Sequence, residues 1–127
     1  MYAQFIRNIL AGEDIVMKST GEQFRSWCYV VDCASAILFL LLKGENMTPY
    51  NIADPQSNIT IRELAQIIAQ IGHKKVVVTA PDAKEKSGYS TIKKAVFDTR
   101  KLENLGWSIQ GNIEEKLQCT IEEMQCT

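Results

Sequence analysis

The run Cys33 to Lys43, CASAILFLLLK, constrains the fold more than any other stretch. At helical spacing its apolar side chains reach nearly every face. A helix that is apolar all round belongs in the interior, so deep burial is expected. Its longest aliphatic part, Ile37 to Leu42, is far too short to cross a bilayer, which takes about 20 residues. The chain must therefore build a protein core around this helix. Its 127 residues suit one domain, 1–127, with a modest core.

The flanks supply the other layer. Phe24 to Val30 is rich in aromatic and β-branched types and reads as a strand. Asp32 is set to cap the apolar helix, and Gly44 to end it. Further strands are expected at Ile15–Lys18, Tyr50–Ala53 and Lys75–Thr79. Tyr2, Phe5, Ile6, Ile9 and Leu10 recur at helical spacing. Thr60 with Glu63 makes a capping box before Ile61, Leu64, Ala65, Ile67, Ile68 and Ile71, and Gly72 stops that helix. A short helix starts at Asp98 or Thr99 and ends at Gly106. Asn112 with Glu115 opens the last, with the stripe Ile113, Leu117, Ile121 and Met124. Pro81 to Ser90 is polar and reads as a loop. The sum is a small mixed α/β unit of about five helices and four short strands.

Charge and cysteine content narrow the function. A net charge of -1 argues against a general nucleic-acid binder. The four cysteines, Cys28, Cys33, Cys119 and Cys126, match neither a zinc spacing nor a dense disulfide framework. They read as free thiols of a cytoplasmic protein, with no membrane anchor. His73 is the only histidine and reads as a surface residue, so a histidine-based metal site is not expected.

Arg25 is the residue that asks for an explanation. It lies within the aromatic strand, where alternation puts Arg25, Trp27 and Tyr29 on one face. A guanidinium fork suits two phosphate oxygens at once. A buried arginine without an acid is costly, so a bound anion would account for it. An ion pair with Asp32 or Glu22, or a side chain that snorkels to water, accounts for it as well. The pattern alone leaves both readings open. Tyr89 to Lys93, YSTIK, has the Tyr-x-x-x-Lys spacing of a catalytic pair, but it sits beside a loop and reads as a solvated turn.

The ordered pieces FIRNILAGEDIVM, STGEQFRSWCYVVDCASAI, YNIAD, TIRELAQIIAQ and LENLGW resemble the carboxy-terminal portion of the extended short-chain dehydrogenase/reductases. These are the NAD-dependent sugar-nucleotide epimerases and dehydratases. The most specific piece is Gly21 to Ala36, which resembles the run G-x-x-x-R-D-[WY]-x-x-V-x-D-x-x-x-A. Ser26 stands where the family often has Asp. The resemblance implies a substrate-binding domain that lacks the amino-terminal Rossmann domain. It gives Arg25 the diphosphate of a nucleoside-diphosphate sugar. Val16 and Met17 would lie near the base, mainly through main-chain groups. Lys84 and Lys86 stand where many members carry a second phosphate arginine. No Gly-x-x-Gly-x-x-Gly turn is present, so the NAD(P) of a parent enzyme would sit in the absent domain and none is expected here. Alone, the chain would then be inactive. The alternative is a stand-alone nucleotide-binding or self-associating module without enzymatic activity. A face uncovered by the absent domain would favour homo-oligomers.

Overall fold

A computed structural model describes residues 1–80 and 91–126 of the chain. Its elements are short. In chain order they are α1 (Tyr2–Leu10), β1 (Ile15–Met17), β2 (Phe24–Ser26), α2 (Val30–Lys43), β3 (Asn58–Thr60), α3 (Ile61–Ile71), β4 (Val76–Val78), β5 (Lys94–Ala95), α4 (Arg100–Asn104) and α5 (Ile113–Gln125). The mixed α/β class expected from the sequence is the one observed.

Two small sheets organise these elements. In the first, β1 pairs parallel with β4, Ile15 opposite Val76 and Met17 opposite Val78. In the second the order is β3-β2-β5. There β2 runs antiparallel to β3, with Arg25 opposite Ile59, and parallel to β5, with Arg25 opposite Ala95. Ser26 ties β2 to β3 and to the chain just after β5. Its hydroxyl donates to Asn58 Oδ1 at 2.7 Å and accepts from the Phe97 amide at 2.9 Å. That gives a structural use to the residue that departs from the family pattern.

The main core lies between α1, β1 and α3. Phe5, Ile6 and Ile9 meet Ile15 and Met17 from one side and Ile61, Leu64, Ala65, Ile68 and Ala69 from the other. Ile121 of α5 closes it. These are the stripes expected from helical spacing, although Tyr2 and Met124 lie exposed. Both expected capping boxes form. The Thr60 hydroxyl accepts from the Glu63 amide while the Glu63 carboxylate accepts from the Thr60 amide, and Asn112 and Glu115 repeat the pattern. At the other end of α3, His73 takes the left-handed conformation, φ 52°. Its amide bonds Gln70 O and that of Lys74 bonds Ala69 O, a Schellman closure. Gly72 is needed beside it for space. A Cβ there would sit 2.3 Å from Ile9 Cγ2.

Three expectations are corrected. First, the strand from Phe24 stops at Ser26. At Trp27 the backbone leaves β5 and instead bonds the 54–57 turn, Trp27 N to Ser57 O and Asp54 N to Trp27 O. Helix α2 therefore begins at Val30 with Tyr29 as its N-cap, and Asp32 sits inside the first turn without capping it. Second, Tyr50–Ala53 forms no strand, while β3 and β5 form where none was expected. Third, α2 is not deeply buried. Only Ala36 is enclosed, packing with Leu102 and Trp107 in a second, smaller core. Among the described residues too little chain lies on the other side of α2 to cover it. Trp107 is the packing aromatic expected after the Gly106 turn, and its indole N–H donates to Ser35 Oγ at 3.3 Å. Asn51 also has a structural use, its amide donating to Asp98 O at 3.0 Å.

Candidate functional site

Arg25 sits in the middle of the three-stranded sheet, and its guanidinium folds towards the chain entering β5. Nη2 donates to Ile92 O at 2.7 Å. Nη1 donates to Phe24 O at 2.9 Å and reaches Lys93 O at 3.4 Å. Neutral carbonyls orient the fork but do not balance its unit charge. Among the described residues no carboxylate pairs with it. The ion pair weighed with Asp32 is not made, because Asp32 pairs elsewhere. The guanidinium is thus a half-buried cation held in place with no described counter-charge.

The other sequence-selected residues divide. Val16 is exposed on β1, whereas the Met17 side chain is buried beneath Gly21. Met17 therefore offers a ligand only its backbone, and its carbonyl already accepts from the Thr79 amide at 2.8 Å. Lys84 and Lys86 lie outside the described residues, as do Tyr89 and the rest of residues 81–90. Lys93 lies just before β5, outside any helix. Trp27 and Tyr29 do not share a face with Arg25, because the strand ends between them.

Trp27 and Tyr29 instead line a separate cleft of about 260 Å³ between α1, α3 and α5. Its walls are mainly apolar, with Tyr2 set edge-on to Trp27 at a centroid separation of 5.7 Å. At its base is a charge cluster that sequence reasoning missed. The ammonium of Lys116 lies 2.8 Å from Asp32 Oδ2 and 3.3 Å from Asp54 Oδ2. Asp54 is almost wholly buried, and it also accepts from Ser57 Oγ at 2.6 Å and the Gln56 amide at 2.9 Å. The Asp32 contact is ionic; its alignment falls short of a hydrogen bond. Burial opposes the charge on Lys116, but the two carboxylates outweigh it and the ammonium titrates above its ordinary value. The signal was present in the sequence. Lys116 falls three residues after Ile113, on the apolar face of α5, where a lysine needs a partner. Cys28 lies beside this cluster. Burial first, then Cys33 and the two acids, push its thiol up to about 12. All four cysteines are free, and no group of metal-ligating side chains occurs among the described residues. Nor is any described helix long and apolar enough to cross a membrane.

Comparison with known proteins fits this arrangement. The model of the NAD dependent epimerase/dehydratase family matches residues 1–53. GDP-L-fucose synthase 1 of Arabidopsis thaliana is 29% identical over 114 residues, which are 87% of this chain and 32% of that protein. UDP-glucuronic acid decarboxylase 3 of the same plant is 30% identical over 121 residues, 91% of this chain and again 32% of the relative. The UDP-glucose 4-epimerase of Thermotoga maritima, solved with UDP-glucose, superposes with a TM-score of 0.81 at 27% identity, over 98% of this chain and 39% of that one. In sequence and fold the chain is similar to the NAD-dependent sugar-nucleotide epimerase/dehydratases. It spans about a third of the length of the curated relatives it matches.

The described residues do not fit the nicotinamide cofactor of that family. A dinucleotide needs a strand that passes through a glycine-rich turn into a helix. The one direct strand-to-helix passage among the described residues, β3 into α3, runs from Thr60 to Ile61 without a glycine.

Proposed function

We propose that the chain is the sugar-nucleotide-binding portion of an NAD-dependent epimerase/dehydratase, with Arg25 gripping the diphosphate. The observation that carries this reading is the guanidinium fixed by the carbonyls of Ile92 and Lys93 with no described carboxylate beside it. A diphosphate supplies the missing charge, and two oxygens match the fork. Val16 and the backbone at Met17 line the approach of the base, and Lys84 and Lys86 add positive charge. The Thermotoga epimerase, whose structure holds UDP-glucose, supports this substrate class. The chain works in the cytoplasm, in keeping with its four free thiols. It contributes binding and orientation. Hydride chemistry belongs to a dinucleotide-binding domain of the parent enzyme, so this chain alone is inactive.

Calorimetric titration with UDP, dTDP and GDP sugars at low salt tests the assignment. Binding by the unaltered chain that vanishes in Arg25→Ala and weakens at least tenfold in Arg25→Lys is the expected result, because lysine keeps the charge but loses the fork. Equal binding by the unaltered and Arg25→Ala chains overturns it.

A second reading is favoured by the bare side of α2. Here the chain acts as a self-associating module, whose apolar face meets another copy.

A further inference from the structure

Cys28 and Cys33 flank the start of α2, and the fold brings their side chains together. Tyr29 is the N-cap of the helix, so Cys28 is the residue before the cap and Cys33 the fourth residue of the helix. Side chains at those two positions meet across a helix start, where apolar groups staple the entering chain to the first turn. Cysteine packs as a small apolar residue and suits that use. The hydrogen bonds place the pair. The Tyr29 carbonyl accepts from the Cys33 amide at 2.9 Å and from the Cys28 thiol at 3.6 Å. One oxygen thus gathers both residues. Side chains on a helix lean towards its N-terminus, which aims Cys33 back at Cys28. The two thiols are in hydrogen-bond contact. Both are half-buried and free. Converging side chains of this kind are what a disulfide requires. The contact lies within one short run of chain, so it does not depend on what covers α2 in a longer protein.

We propose that Cys28 and Cys33 are a thiol-oxidation site, closed to a disulfide by exchange with a low-molecular-weight disulfide of the glutathione class. Cys33 reacts first. Its thiolate attacks one sulfur of the oxidant, the oxidant's S–S bond breaks, and one small thiol leaves with a proton. Cys28 then gives up its proton and attacks Cys33 Sγ, and the second small thiol leaves. Two protein thiols are oxidised to one disulfide, and one small disulfide is reduced to two thiols. The order follows from the surroundings of Cys28. Burial first, then Cys33, push its thiol up to about 12, and a protonated thiol is a poor nucleophile. Cys28 is therefore the resolving residue. The bond closes a ring of six residues, Cys28 to Cys33, over the N-cap. It fixes the first turn of α2, which carries Asp32 to Lys116. In a reducing compartment such a bond is transient, and reduced glutathione reopens it by the same exchange in reverse.

Mass spectrometry of the chain treated with oxidised glutathione tests this. Cys119→Ser with Cys126→Ser removes the two exposed thiols and leaves only the pair. Circular dichroism checks that the fold is kept. After oxidation and an acid quench, the expected product is lighter by two hydrogens, and proteolysis maps a link between Cys28 and Cys33. With Cys28→Ser added, the reaction is expected to stop at one glutathione on Cys33. Glutathione redox buffers then give the effective concentration of the pair. It is expected to be at least tenfold higher in the folded chain than in concentrated urea, with a higher urea midpoint for the oxidised chain than for the reduced one. A chain that stays reduced overturns the proposal. So does one that keeps a glutathione on Cys33 while Cys28 is present. Equal effective concentrations in the folded and unfolded chain also overturn it, because the bond would then owe nothing to the geometry at the start of α2.

Discussion

Lys116 shows how much one residue can hold. It ties the first turn of α2 to the 54–57 turn, two segments that share no other described ion pair. Removing it leaves two carboxylates facing each other in a largely closed site. Lys116→Ala should cost about 3 kcal/mol, read as a lower urea midpoint. The sign with pH follows from its raised folded value. The contribution is complete below the ordinary lysine range and is lost as pH rises through the folded value, so the difference between variant and parent stays flat across neutral pH and narrows in strong alkali. Cys28 makes a second test at this scale. With its thiol pushed up to about 12, it should alkylate far more slowly at pH 8 than the exposed Cys119 and Cys126. Mass spectrometry of partly labelled chain decides it, and early label on Cys28 would show that the cluster is open to solvent.

Among the elements, α3 is the most self-sufficient. Its capping box, its apolar stripe and its place in the core all agree, which is what local consistency means for foldability. Thr60→Ala should remove about 1 kcal/mol at pH 7. The Glu63 carboxyl is held below its ordinary value by the Thr60 amide and then the Thr60 hydroxyl. Its part of the box is thus present above the usual glutamate range and is lost as pH falls through the folded value. The backbone amide at position 60 stays in the variant, so urea unfolding of parent and variant at pH 7 and again near pH 3 should show the gap narrow only by the share of the bond from the Thr60 hydroxyl to the Glu63 carboxylate; a gap that vanishes would mean that the cap bond from the Glu63 amide contributes nothing. Helix α2 is the opposite case. Its strongest sequence property, apolarity on all sides, exceeds what the fold around it can cover.

At the scale of the whole molecule the two sheets and two cores build a platform that holds Arg25 between β3 and β5. Helices α1, α3 and α5 were legible because caps and stripes depend on residues three or four apart. The class was legible for the same reason, and Arg25 stood out as a charge among strand-forming aromatics. The partners of those groups were not legible. Periodicity states that a face seeks burial, but not what buries it, so α2 was expected inside and lies half outside. Alternation assumed that the strand continued to Val30, yet the bonds from Trp27 to the 54–57 turn ended it and parted Trp27 and Tyr29 from Arg25. Sequence by itself determined the helices, their ends apart from the start of α2, and the residue types able to bind an anion, because those are short-range properties of the chain. Only the tertiary structure decided that Asp32 answers Lys116 rather than Arg25, and that α2 keeps one face bare. Both depend on segments far apart in sequence meeting in space, and local pattern carries no record of that.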